Sequence, residues 1–321
     1  MYSRIVSTGH FLPERILTNQ DLERMVNTSD EWIQSRTGIR ERHVVSDGET
    51  NLDLCEQAAR RALEAADLTP DELDLILVAT TTPNQVFPNM GVLLQDRLGG
   101  HGYTCFSLEA ACAGFIYALS VADSLIQTRQ IRRALVVGGE TLSRITDYTD
   151  RSTCILFGDG AGAVILEGSD KPGILNIRTH ADGAYKDLLY FPSGISQGFD
   201  RLREKRDFIH MKGNEVFRVA VNTLCQIAQE TLDASGISPS ELSWLVPHQA
   251  NLRIIEAIAR KLALPMERVV LTIGEHGNTS TASIPMALDV AVRDGRIQRG
   301  QLLLFEAFGG GFTWGSALLR F

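Results

Sequence analysis

Cys112 stands in the segment Phe106-Ser107-Leu108-Glu109-Ala110-Ala111-Cys112-Ala113-Gly114-Phe115. A strand-like run precedes it. A good helix former with an apolar stripe follows, Phe115-Ile116-Tyr117-Ala118-Leu119-Ser120-Val121-Ala122. A thiol at such a strand-to-helix turn faces the positive end of the helix dipole, which favours the thiolate, the nucleophilic form. The small flanking residues leave the backbone open to a bound substrate. The same local sequence also suits a buried cysteine among alanines, and local sequence alone leaves both readings open. Cys55, Cys105, Cys154 and Cys225 lack this context and read as buried filler, Cys154 within an apolar strand-like run.

Two later segments carry groups that a nucleophilic cysteine could use. His248 lies in Leu245-Val246-Pro247-His248-Gln249-Ala250-Asn251, at the end of an apolar strand, where α/β sheets place ligand sites. Asn278 lies in Glu275-His276-Gly277-Asn278-Thr279-Ser280-Thr281, a turn before a helical segment. Convergence of distant residues on a cysteine is the pattern of Cys-dependent enzymes. A strand-end histidine is also often a satisfied polar residue, and Gly-Asn is a common turn. His276 reads as loop. The run Phe308-Gly309-Gly310-Gly311-Phe312 follows an apolar strand; its glycines let backbone N–H groups approach a developing oxyanion, or they form a tight bend. Gly158-Asp159-Gly160-Ala161-Gly162 lacks the GxGxxG spacing and precedes a strand, which argues against a dinucleotide loop.

The elements that must position these residues come in two similar sets. Residues 67–77 and 236–246 match at one offset: Pro70 with Pro239, Glu72 with Glu241, Leu73 with Leu242. Each follows an amphipathic helix and enters an apolar run fit for a buried strand. The same offset pairs Leu135-Val136-Val137 with Leu304-Phe305-Glu306. The sequence therefore predicts a duplicated α/β unit, with one half over 1–172 and a second over 173–321. Alternating helix and buried strand predicts sheets covered by helices.

Composition narrows the classes. The chain has 321 residues, 44% hydrophobic and 22% charged, as expected of a soluble globular protein. A net charge of −8 argues against a general nucleic-acid binder. No signal peptide, membrane span or lipidation signal is expected. Five scattered cysteines suggest neither a disulfide framework nor a metal pair, and point to a reducing cytosol. The polar stretch 193–207 reads as a long loop.

Taken together, the motifs resemble the ketoacyl-acyl-carrier-protein synthase III family, the initiating condensing enzymes of bacterial fatty-acid synthesis. The resemblance rests on Thr28-Ser29-Asp30-Glu31-Trp32, Arg36-Thr37-Gly38-Ile39-Arg40-Glu41-Arg42, Ala110–Phe115, Phe157–Gly162, Val246–Asn251, His276–Ser280 and Glu306–Gly315. It spans essentially the whole chain. It implies a thiolase-like fold, two βαβαβαββ halves forming a five-layer α-β-α-β-α sandwich, and a cytoplasmic homodimer. It also implies decarboxylative condensation of a short acyl-CoA, acetyl-CoA above all, with malonyl-acyl-carrier protein, without metal or redox cofactor.

The resemblance also assigns residues. Cys112 is the acylated nucleophile, while His248 and Asn278 assist decarboxylation. The backbone N–H groups of Cys112 and Gly310 form the oxyanion hole. Trp32, Arg36, Thr37, Arg151, Gly213, Phe217, Ala250 and Asn251 match coenzyme A and pantetheine contacts. Phe87 matches a residue that crosses the dimer interface and closes the acyl pocket. Arg218, Gln249, Arg253, Arg260 and Lys261 are the expected docking face for an acidic carrier protein. Ser152 departs from the family's glycine beside the coenzyme A arginine, and 193–207 does not align residue by residue. Two alternatives stand beside this reading: a same-fold synthase of secondary metabolism with another starter, and a non-catalytic carrier-protein-binding subunit.

Overall fold

The computed structural model describes residues 1–198, 200, 204 and 207–321. Its first half contributes β1 (Tyr2–Phe11), β2 (Ile16–Thr18), β3 (Glu41–His43), β4 (Leu75–Ala79), β5 (Thr104–Leu108), β6 (Arg133–Thr141) and β7 (Asp159–Ser169). The second contributes β8 (Ile174–Ala181), β9 (Leu189–Tyr190), β10 (His210–Met211), β11 (Trp244–Pro247), β12 (Leu302–Gly309) and β13 (Thr313–Arg320).

Two sheets carry the fold. The first runs β1-β7-β6-β4-β5 and the second β11-β12-β13-β8. Placing β8 on β1, β11 on β4, β12 on β6 and β13 on β7 makes the second order the reverse listing of the first without β5. A trace of that missing fifth strand remains as an isolated parallel bridge between Leu245 and Val269.

The matching Pro-x-Glu-Leu segments have a local cause. Thr69 with Glu72, and Ser238 with Glu241, form reciprocal capping boxes on the short helical turns Pro70–Glu72 and Pro239–Glu241. Each box satisfies backbone donors that the turn would leave open. The following leucines, Leu73 and Leu242, are buried and start the run into β4 and β11.

Helices separate and cover the sheets. Gly114–Gln127 and Ser283–Arg293 lie between them, with Phe115, Leu119, Ile284 and Leu288 in one core with Leu77, Val136, Val246 and Phe305. Asn51–Ala66 covers the outer face of the first sheet through Leu54, Ala58 and Ala62. Gly213–Ser235 and Leu252–Lys261 cover the second through Leu224, Leu232, Ile255 and Ile258. This is the five-layer arrangement. Strands buried on both faces read as continuous apolar runs, and each buried Leu, Ile or Phe contributes about 1.5–3 kcal/mol.

The Gly158–Gly162 run serves packing. A Cβ on Gly160 would lie 2.8 Å from Met286 Sδ, and one on Gly162 2.6 Å from Met286 N. The bare strand therefore lets the central helix Ser283–Arg293 come into backbone contact. Cys154 is buried as expected, but in the short helix Arg151–Cys154 rather than a strand. Of the loop predicted over 193–207, Ile195–Gln197 forms a helical turn, and 199, 201–203, 205 and 206 lie outside the described residues. Among the described residues, no helix is long and apolar enough to cross a membrane.

Candidate active site

Cys112 sits on the tight turn Ala111–Ala113, which leads into the central helix Gly114–Gln127. Ala111 has a φ of 45°, a left-handed conformation costing an alanine about 1–3 kcal/mol. Tertiary bonds hold it. Ala111 N–H donates to Glu109 Oε1 at 2.8 Å, and Thr313 Oγ1 donates to Ala110 O at 2.8 Å. Gly309 backs the turn so closely that a Cβ there would sit 2.5 Å from Cys112 N.

Cys112 as a residue is 8% exposed, and it lines a cavity of about 1090 Å³. Thr81, Leu142, Phe157, Leu189, Ser280 and Gly310 share its wall. Cys112 and the oxyanion-hole candidate Gly310 thus meet at one surface.

Burial governs the charge of the site. It pushes the Cys112 thiol up to about 12; a hydrogen bond from Ser280 opposes this, and the buried Glu140 adds to it. His248 is pushed down to about 3, also by burial. The resting pair is therefore a neutral thiol and a neutral imidazole. Loss of solvation thus works against the thiolate that the helix end favours.

His248 follows β11, and its backbone N–H donates to Glu306 O at 2.8 Å. Its Nδ1 lies 2.6 Å from Ser283 Oγ, which also accepts Gln249 N–H at 3.3 Å. In the tautomer with Nδ1 unprotonated, the Ser283 hydroxyl donates to it. The imidazole proton is then on Nε2. Asn278 is tied by its side-chain oxygen, which accepts Ser280 N–H at 2.9 Å. Its amide nitrogen is left as the donor. The segment Asn278–Ser283 thus touches on all three residues: it carries Asn278, its Ser280 lines the cavity with Cys112, and its Ser283 bonds the His248 ring.

The coenzyme A candidates form a separate surface cluster outside the cavity wall. The Trp32 ring has two guanidinium groups over it, Arg151 at 4.7 Å and Arg36 at 6.0 Å from its centroid. Asn251 caps helix Leu252–Lys261 and donates to Arg36 O at 3.0 Å. Arg253 stacks on Phe217 at 5.4 Å. Ala250 precedes Asn251, and Gly213 starts the helix that carries Phe217. Thr37 does not join them through its side chain. It is buried, donating to Ile33 O at 2.7 Å and accepting Ile39 N–H at 3.0 Å at the end of its helix. Asp150 caps the short helix that holds Ser152, accepting its N–H and its hydroxyl, each at 2.8 Å.

Arg218, Arg253, Arg260 and Lys261 are exposed, with Glu256 exposed on the same helix. Gln249 is not part of this face. It is fully buried, donating to Pro247 O and Val270 O and accepting the N–H groups of Thr272 and Ile273. Its amide ties strand end to neighbouring loop, so it has no surface to offer a partner. Phe87 is 84% exposed and does not line this chain's cavity, although Thr81–Val86 just before it do.

Three residues near the nucleophile escaped the sequence reading: Glu140, Ser280 and Ser283. Glu140 had a usable signal, a carboxylate at the end of the buried apolar run Leu135–Val137. His276 is buried in the short helix Ile273–His276, stacked 6.3 Å from His10, rather than in a loop.

Comparisons with known proteins match this geometry. The family described as 3-Oxoacyl-[acyl-carrier-protein (ACP)] synthase III matches residues 106–183, and its C-terminal counterpart matches 232–321. Beta-ketoacyl-acyl-carrier-protein synthase III of Thioalkalivibrio sulfidiphilus is 61% identical over 320 residues, covering 100% of this chain and 99% of that protein. The crystal structure of 3-oxoacyl-acyl-carrier-protein synthase III from Aquifex aeolicus superposes with a TM-score of 0.93 at 47% identity, over 99% of this chain and 100% of that one. The priming beta-ketosynthase of the R1128 polyketide pathway also reaches 0.93, at 37% identity over 99% of this chain and 96% of its own. The chain belongs to the beta-ketoacyl-acyl-carrier-protein synthase III family.

Proposed function

We propose that the protein joins a short acyl group, acetyl from acetyl-CoA, to malonyl-acyl-carrier protein, releasing coenzyme A and CO2 and giving a 3-oxoacyl-carrier protein that starts fatty-acid synthesis. The observation that carries this reading is Cys112 on the cavity wall with Ser280, whose segment also carries the Asn278 carboxamide and, through Ser283, bonds the neutral His248 ring.

Cys112 attacks the acyl thioester, and its own N–H with that of Gly310 stabilises the oxyanion. Coenzyme A leaves with its adenine end at Trp32, Arg36 and Arg151, groups suited to stacking and phosphate pairing. Malonyl-carrier protein then docks at Arg218, Arg253, Arg260 and Lys261. Loss of CO2 leaves an enolate oxygen that takes hydrogen bonds from His248 Nε2–H and Asn278 Nδ2–H. An imidazole neutral from about pH 3 upward keeps one N–H for this task without charge. The carbanion carbon attacks the acyl-Cys112 thioester. Nothing in these bond changes calls for a metal or redox cofactor. The reading includes a cytoplasmic homodimer. The exposed Val86 and Phe87 support it, since they extend an apolar surface beside the cavity.

Intact-mass measurement after mixing with acetyl-CoA tests the reading. An acetyl adduct is expected on the native protein and not on Cys112→Ser, and malonyl-carrier protein should discharge it as 3-oxoacyl product. An unmodified native protein would overturn the reading. A panel of acyl-CoAs separates an acetyl starter from those of secondary metabolism.

A further inference from the structure

The end of β6 backs the turn Ser280–Ala282, much as the end of β12 backs the turn Ala111–Ala113. A Cβ on Gly138 would lie 2.6 Å from Thr281 O, and one on Gly309 would lie 2.5 Å from Cys112 N. At the offset that matches Pro70 with Pro239, Gly309 corresponds to Glu140. At this position one strand is bare main chain and the other carries a carboxylate. Glu140 is fully buried and does not line the cavity, so it touches no substrate.

Two groups of donors meet on this carboxylate. From the first half, Thr81 gives its N–H at 3.1 Å and its hydroxyl at 3.0 Å, Thr82 its hydroxyl at 2.5 Å and Thr80 its hydroxyl at 3.4 Å. From the second half, Ser280 gives its hydroxyl at 3.3 Å. Thr81 and Thr82 begin the stretch Thr81–Val86 that lines the cavity, and Ser280 lines it as well. Ser280 N–H also donates to the Asn278 side-chain oxygen at 2.9 Å. Bonded groups therefore run from the cavity wall, through Glu140 and Ser280, to the carboxamide assigned to the enolate. An ionised carboxylate only accepts, so it can serve all of these donors at once. Burial opposes its charge, and a buried network that is fully satisfied fixes one geometry.

We propose that Glu140 is a positioning residue that selects the starter at the condensation step, by making the place of Asn278 depend on how the acyl group fits against Thr81 and Thr82. The inference rests on the proposed condensation. A short acyl group leaves the threonine hydroxyls on the carboxylate, and Asn278 keeps its aim at the enolate oxygen. A longer or branched group presses on Thr81–Val86 and draws those hydroxyls away. The carboxylate then moves with the wall, and Ser280 and Asn278 move with the carboxylate. An acyl group of the wrong size is accordingly loaded on Cys112 but condensed slowly. Loading lacks this dependence. The N–H groups assigned to its oxyanion, those of Cys112 and Gly310, belong to main chain next to Gly309.

The test separates the two steps over a series of starters. Intact mass follows acylation of Cys112 by acetyl-, butyryl- and hexanoyl-CoA. Rapid quench follows discharge of each acyl-enzyme by malonyl-acyl-carrier protein. In the native protein, condensation should fall with chain length more steeply than loading. Glu140→Gln should slow condensation of the acetyl-enzyme by about tenfold, the scale of a small misplacement, and flatten its dependence on length. Loading should change by less than about threefold. Thr82→Val and Ser280→Ala cut the network on either side of the carboxylate, and they stand in should Glu140→Gln fail to fold. Each should flatten the length dependence of condensation. The double variant should be no worse than the more affected single one, since either cut already breaks the path. Selection made wholly at loading, a length preference in condensation that survives the cuts, or effects that simply add in the double variant would overturn the proposal. A native protein that takes no acetyl group overturns the proposed function instead.

Discussion

The two halves build the same turn twice and use it differently. Ala111–Ala113 precedes one central helix and Ser280–Ala282 the other, at the sequence offset that matches Pro70 with Pro239. Ala111 and Ser280, the equivalent first residues, both have positive φ, 45° and 51°. In the first half the strained turn presents a sulfur. In the second the turn and its flanking residues Asn278 and Ser283 present hydroxyls and an amide, one hydroxyl on the same cavity wall as that sulfur and another bonded to the histidine. Duplication therefore supplied two elbows aimed at one point, and divergence made one reactive and the other supportive.

Removing a supporting group should damage one half-reaction more than the other. Asn278→Ala should show this most strongly, lowering condensation by about 100-fold, the scale of a lost oxyanion donor, with acyl loading nearly intact. Rapid-quench measurement of both steps would decide it, and equal losses would merge the two turns into one role. Ser283→Ala should lower condensation by about tenfold, since His248 would keep its ring but lose the bond that puts its proton on Nε2. Ser283→Thr should recover most of it; a loss of thermal stability with unchanged rates would make Ser283 structural. Arg253→Glu should have the smallest effect, a rise of a few-fold in KM for carrier protein with little change for acetyl-CoA. Equal changes for both substrates would move docking elsewhere.

Much of this was readable from local patterns because it has local causes. The Thr69 and Ser238 capping boxes, the apolar strands and the small residues around Cys112 depend on neighbours within a few positions. The protonation state of Cys112 does not, since it follows from how completely the fold removes water. Gln249 and Thr37 were misplaced for the same reason: a motif says which residues recur, not which of their atoms turn inward. The link from Glu140 to Ser280 joins residues from opposite halves through a hydroxyl, and no periodicity records such a contact.

The close approach of Gly309 to the Cys112 amide has a consequence for changing the starter. That flank of the cavity is main chain, and a methyl group there would displace the nucleophile itself. Other parts of the wall, from Thr81 to Val86 and at Leu142 and Ile145, are furnished with side chains. Remodelling for longer or branched acyl groups therefore has a tunable side and a fixed one, and libraries belong on the former.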